Sequence, residues 1–151
     1  ECLAIYRKYY NAGEILNASV FPGMRELIGA LRASGRKVCV ATSKPQPMAE
    51  IVLEHFGLTA QFACISAADT SDKQSNKDEL ILRALDVCGV PSSRAVMVGD
   101  TLFDAEGARK TGVDFIGVLY GYGKREQMEA EGGCCFVNTV EELAPLLFAE
   151  E

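Results

Sequence analysis

The sequence has no tryptophan and a single histidine, His55. That imidazole falls at the end of an apolar helical pattern, where it reads as a favourable partner for a helix dipole. Ser–His and Cys–His nucleophilic chemistry is therefore not expected. No CxxC spacing occurs among the six cysteines, so no zinc site is indicated. No apolar run is long enough to span a bilayer, and no stretch has the pattern of a signal peptide. Positive charge is in short supply: 15 Lys and Arg stand against 21 Asp and Glu, a net charge of −6. That balance argues against nucleic acid or an anionic membrane as the main partner. Gly117, Gly121 and Gly123 do not complete a GxGxxG pattern, which leaves a dinucleotide site without its fingerprint.

What is present fits one core domain: 151 residues, 48% hydrophobic and 24% charged. Cys39 and Cys64 lie inside apolar strand-like runs, and Cys88 falls on the apolar face of a helix. Cys134-Cys135 follow Gly132-Gly133 and read as packing or as an exposed thiol. With Cys2, these are expected to be free thiols rather than a disulfide framework. Thiols used as small hydrophobes point to a reducing, cytoplasmic setting.

Apolar spacing predicts the elements. Residues 1 to about 17 carry Cys2, Ile5, Tyr6, Tyr9 and Tyr10 near helical spacing, and Phe21-Pro22-Gly23 breaks the pattern. Met24, Leu27, Ile28 and Leu31 predict a helix that Gly35 ends. Residues 38–41 read as a buried strand ending in Thr42-Ser43-Lys44-Pro45, and Met48, Ile51, Val52 and Phe56 as a helix closed by Gly57. Residues 62–65 read as another strand. A polar loop over 69–75 then leads to a helix with Ile81, Ala84, Leu85 and Cys88 on one face. Asn76 with Glu79 predicts a capping box at its start. Further strands at 96–98, 115–119 and 135–137 alternate with helices at 105–110 and 125–130 and a last helix capped by Thr139 and Glu142. Gly121-Tyr122-Gly123 reads as a mobile loop. Strands alternating with helices mean an α/β fold with a parallel, doubly wound sheet.

The chain is organised around Val96-Met97-Val98-Gly99-Asp100-Thr101-Leu102-Phe103-Asp104. An apolar strand ends at Gly99, and two carboxylates follow where strand turns into helix. Ligands of open α/β sheets bind outside the carboxyl ends of the strands. Two neighbouring carboxylates repel unless a cation joins them, and Mg2+ is the hard ion held by one or two carboxylates with waters and a phosphate. The plainer alternative makes Asp100 a helix N-cap and Asp104 a solvated first-turn acid. Thr42 alone reads as a strand-end residue satisfying its own turn. Lys44 reads as a substrate contact or a surface lysine. Lys77 stands in a first helical turn, where the dipole disfavours a cation unless an anion faces it. Together, hydroxyl, lysine and carboxylates form a set that suits a phosphoryl group.

Val38-Cys39-Val40-Ala41-Thr42-Ser43-Lys44-Pro45, then Lys77, then the stretch from Val96 to Asp104 resemble the second, third and fourth motifs of haloacid dehalogenase-superfamily phosphatases. The phosphoglycolate phosphatase-like branch is the most similar. Phe21-Pro22-Gly23-Met24 and the run from Gly112-Val113 to Gly121-Tyr122-Gly123 resemble its connecting segments. The resemblance implies a Rossmann-like core over 19–151 and the last helix of a helical cap over 1–18. It implies that Thr42, with Ser43 and Lys44 beside it, binds a phosphate oxygen. Lys77 would steady phosphate and nucleophile, Asp100 would ligate Mg2+, and Asp104 would ligate it or hold its waters. The substrate implied is a small phosphorylated metabolite.

One motif is missing. The family's nucleophile and general acid/base are the two aspartates of an Asp-x-Asp ending the first strand. Here Asp69 and Asp72 lie in a polar loop and Asp86 in a helix. The expectation is the carboxy-terminal portion of a phosphatase, with the missing N-terminal segment as a required partner. The rival is a non-catalytic α/β module, truncated or degenerate, binding a phosphorylated ligand or a protein. In the family's sheet the missing strand lies between the strands ending in Thr42 and Asp100. Those two strands are then expected to flank a gap, to pair directly, or to recruit a neighbouring chain.

Overall fold

Two parallel sheets carry the fold. β1 (Cys39–Pro45) pairs with β2 (Cys64–Ala68); β3 (Val96–Gly99) pairs with β4 (Asp114–Val118), which pairs with β5 (Phe136–Val137). Every pairing is parallel, which requires a crossover between successive strands. Helices supply these crossovers: α2 (Gln46–His55) joins β1 to β2, α4 (Leu102–Thr111) joins β3 to β4 and α5 (Arg125–Ala130) joins β4 to β5, while α1 (Met24–Ala33) precedes β1, α3 (Lys77–Cys88) links β2 to β3 across the two sheets and α6 (Leu143–Phe148) follows β5. This computed structural model describes residues 13–69 and 76–149. The helix expected over 1–18 lies mostly outside them, and Glu14–Leu16, at its described end, form a single 3-10 turn.

Side-chain alternation along the strands builds two cores. Ile116 and Val118 of β4 pack with Leu27 and Leu31 of α1, Val137, Val140 and Leu143, with Val98 of β3 against them. Phe115 and Met97 point the other way, against Ile81 of α3, Ala108 of α4 and Val113. Helices on both faces of parallel strands make the doubly wound arrangement. Ala41 of β1 joins the second core. The two sheets therefore share apolar packing although they exchange no ladder hydrogen bonds.

β1 and β3 do not pair with each other. Their burial shows it. Ser66, Ala67 and Ala68 of β2 are buried, as are Ile116, Gly117 and Val118 of β4. By contrast Cys39, Val40, Ala41 and Thr42 of β1 are only half-buried, Met97 and Val98 likewise, and Val96 is 41% exposed. The sequence predicts both runs as fully buried strands. An apolar strand reaches that state only with neighbours on both sides, and among the described residues each has one.

Local differences have local causes. β1 continues through Thr42-Ser43-Lys44-Pro45, with a register shift between Thr42 and Pro45. The expected Asn76–Glu79 capping box does not form, because the Asn76 side chain makes no cap bond. At α6 the expected pair is displaced: Glu142 Oε2 accepts from the Asn138 N–H at 2.8 Å, not from Thr139. α3 and α4 both stop at a left-handed glycine, Gly89 (φ 62°) and Gly112 (φ 68°), where a Cβ would be strained.

Candidate active site

Asp104 is built into the start of α4. Thr101 is the N-cap, and Thr101 and Asp104 form a reciprocal capping box. Asp104 Oδ2 accepts from Asp100 N–H (3.2 Å), Thr101 N–H (3.0 Å) and the Thr101 hydroxyl (2.9 Å). Asp104 Oδ1 pairs with Lys77 Nζ at 2.9 Å. Both oxygens are thus taken by protein donors, and the residue is 5% exposed. The plainer sequence alternative does not hold: Asp104 is not solvated, and Asp100 is not the N-cap. The close packing depends on Gly99, where a Cβ would run into the Asp104 side chain.

Lys77 opens α3 and reaches both sheets. Its ammonium donates to the Ala41 carbonyl of β1 at 3.0 Å while pairing with Asp104 behind β3. The anion that makes a cation tolerable at this helix start is therefore the Asp104 carboxylate. Gly107 of α4 lets the lysine stem pass, since a Cβ there would lie 2.7 Å from Lys77 Cγ.

Asp100 follows β3 directly. Its Oδ2 accepts from the Tyr122 N–H at 2.8 Å. The Gly121-Tyr122-Gly123 segment, expected as a mobile loop, is packed hard on it. A Cβ on Gly121 would strike the Asp100 side chain, and one on Gly123 its carbonyl. Asp100 Oδ1 accepts no hydrogen bond among the described residues. Among the described residues the Tyr120 hydroxyl is buried without a partner. Burial raises its pKa above the ordinary phenol value, and the charges of Asp100 and Glu141 add to this. An orphaned buried hydroxyl calls for a further polar group. The open carboxylate oxygen of Asp100 fits a hard, hydrated cation. No three His, Cys, Asp or Glu among the described residues converge on one point, so any such ion would take its remaining ligands from elsewhere.

Thr42 sits at the register shift of β1. Its Oγ1 accepts from the Lys44 N–H at 3.1 Å, which is the self-satisfied turn expected of a strand end. Ser43 is exposed. Lys44 is half-buried, and that burial lowers its pKa. The structure brings Lys77, Asp104 and Asp100 together and ties Lys77 to Ala41, the residue before Thr42. Ser43 is not drawn into this group. Sequence reasoning missed the Ala41 carbonyl, Tyr120 and the glycines that allow the approach. It also missed the cap, although Thr-x-x-Asp is a pattern that signals one.

Comparisons fit this geometry. Residues 1–118 match the model of the haloacid dehalogenase-like hydrolase family. The chain is 33% identical, over 97% of its length, to the tyrosine-protein kinase PtkA of Mycobacterium tuberculosis, covering 51% of that protein. It is 37% identical, over 81% of its length, to a phosphoglycolate phosphatase of Rhodospirillum rubrum, again covering 51%. It superposes on a haloacid dehalogenase-like hydrolase of Streptococcus pneumoniae with a TM-score of 0.85 at 27% identity, over 95% of this chain and 68% of that one. The chain thus spans about half the length of these curated relatives. By its sequence match and its fold alike, the chain belongs to the haloacid dehalogenase-like hydrolase family.

Proposed function

We propose that this chain is the carboxy-terminal portion of a Mg2+-dependent phosphomonoesterase that acts on a small phosphorylated metabolite through an aspartyl-phosphate. The nucleophile would be carried on a segment outside these residues. The observation behind this reading is the placement of Lys77. One ammonium stands between the carboxyl ends of β1 and β3, paired with Asp104 and with the Ala41 carbonyl. Open α/β sheets bind ligands at such strand ends.

Each residue has a role that its contacts allow. Two of the three Lys77 donors are placed, which leaves one for a phosphate oxygen. The Thr42 hydroxyl accepts from Lys44 N–H and keeps its own proton to donate to the phosphate. Lys44 lies two residues on and adds positive charge. Asp100 would hold Mg2+ through its open oxygen. Asp104 would act on it indirectly, by fixing Lys77 and the Asp100 backbone. A bound Mg2+ supplies charge neutralisation for the phosphoryl group. A strand inserted between β1 and β3 would pair with both open edges and cover their half-exposed apolar residues. That strand is the natural carrier of the missing carboxylate. Phosphoglycolate phosphatases recur among the relatives. A cytoplasmic setting belongs to the same reading and is supported by the free thiols. Among the described residues no helix is long and apolar enough to cross a membrane.

The test compares the 151-residue chain with a version extended by its native upstream residues, with and without Mg2+. Phosphate release from p-nitrophenyl phosphate, phosphoglycolate, a nucleoside monophosphate and a sugar phosphate is measured. Background from the chain alone, with Mg2+-dependent turnover from the extended version, is the expected result. An inactive extended protein that still binds phosphorylated ligands would replace the enzyme by a binding module. Turnover by the shorter chain would place the nucleophile within it.

A further inference from the structure

We propose that Cys39 and Cys88 form a redox-active thiol pair, closed to a disulfide by a low-molecular-weight disulfide such as oxidised glutathione. The two sulfurs lie 3.2 Å apart although the residues are 49 positions apart in sequence. Cys39 begins β1 and Cys88 ends α3. The same junction is tied by Lys37 Nζ, which donates to the Cys88 carbonyl at 2.6 Å. The end of α3 and the start of β1 are therefore adjacent. A disulfide needs S–S of about 2.05 Å, so the two sulfurs have to close by roughly 1 Å. Both cysteines are half-buried, which leaves a path for a small reagent.

The chemistry runs by two exchanges. The Cys88 thiolate attacks one sulfur of the reagent, its S–S bond breaks, and one glutathione leaves. Cys39 then attacks the Cys88 sulfur of the mixed disulfide, and the second glutathione leaves. Two protein thiols lose two electrons and two protons; one reagent disulfide becomes two thiols. The order follows from the surroundings of Cys39. Burial first, then the hydrogen bond and charge of Cys88, then Cys64, push its thiol up to about 12. Cys39 is therefore not the first attacker. Once Cys88 is held in the mixed disulfide its own share of that shift is gone while the larger share from burial stays, so Cys39 is the slower, second attacker, placed by its contact with the Cys88 sulfur.

The bridge would act on the helix that presents Lys77. At its first residue α3 is joined to β1 by the bond from Lys77 to the Ala41 carbonyl. The disulfide would join the last residue of α3 to the first of β1, anchoring the helix at both ends. Cys64, the register partner of Cys39 on β2, is the competing thiol.

The folded chain is equilibrated with mixtures of reduced and oxidised glutathione, then alkylated and mapped by mass spectrometry without reduction. The expected product is a Cys39–Cys88 linked peptide with a mass loss of two hydrogens. A Tm increase of about 5 °C should accompany it, as closing a long loop implies. Cys88→Ser and Cys88→Ala should each abolish both signals. Cys134 is exposed and serves as the internal control, because it should be glutathionylated in the same samples. Glutathionylated Cys134 with no Cys39–Cys88 peptide would overturn the proposal. So would a Cys39–Cys64 bridge, or a bridge formed only in denaturant. The mapping uses the unsubstituted chain and no activity, so it stands apart from the proposed phosphatase reaction.

Discussion

Lys77 and Asp104 form an ion pair at 2.9 Å, with side chains 12% and 7% exposed, from the first turns of two different helices. Removing one member of a buried pair strands the other charge, at a cost of about 3 kcal/mol. Lys77→Met keeps the stem that passes Gly107 and removes the ammonium, so urea denaturation should register a loss of about that size. Adding Asp104→Asn should recover part of it, since the stranded charge is then gone. A double variant less stable by the full sum of the single losses would mean that the two residues do not couple.

The glycines of the chain divide by what a methyl would meet. A Cβ on Gly123 would run into the Asp100 carbonyl, whereas one on Gly29 of α1 meets nothing within 4 Å. Gly123→Ala should therefore lower stability by about 2 kcal/mol, as overpacking does. Gly29→Ala should raise it by about 0.5–1 kcal/mol through helix propensity. Thermal melts of the two variants, moving in opposite directions, are the check.

Alkaline pH should destabilise the fold through Cys39. Its thiol rises from 9.0 to about 12 on folding, chiefly through burial. Between those values the native state holds a proton that the unfolded chain has released. The stabilisation is complete below 9.0 and is lost as pH climbs toward 12. Cys39→Ala should flatten the fall of the urea midpoint over this range relative to the unsubstituted chain. An unchanged slope would contradict the shift.

In the extended protein, Asp100→Asn should abolish Mg2+-dependent phosphate release and leave the melting temperature within about a degree, because the amide oxygen still accepts from Tyr122 N–H. Thr42→Ala removes one hydrogen bond to a charged group and should reduce kcat/KM by the equivalent of about 1.5–3 kcal/mol. Steady-state kinetics at saturating and limiting Mg2+ distinguish the two effects.

The sequence made the helices legible because their apolar spacing is regular. Leu27, Ile28 and Leu31 are buried as the pattern implies, and Gly89 and Gly112 end helices as glycines do. Strand identity was legible too, but strand burial was not. A run such as Val38-Cys39-Val40-Ala41 states that it suits a buried place, not whether its neighbour is present. The carboxylates and Lys77 were readable as one group from their order along the chain. Their division of labour was not. That Asp104 has both oxygens occupied, while Asp100 keeps one open, depends on backbone amides and on the Thr101 cap. The glycines at 99, 107, 121 and 123 looked like punctuation in the sequence, and only the three-dimensional approach of Asp104, Lys77 and Asp100 reveals them as clearances.

The separation of β1 from β3 should also leave a rhythm in time. Along a strand, successive backbone N–H groups point to opposite sides. In β4, between β3 and β5, both sides meet a partner strand; in β1 and β3 one side meets none among the described residues. Deuterium should therefore enter β1 and β3 at every second amide and enter the heart of β4 slowly throughout. If a further strand then seated itself, the fast amides would fall silent first, before any change in helix content reported that the molecule had altered.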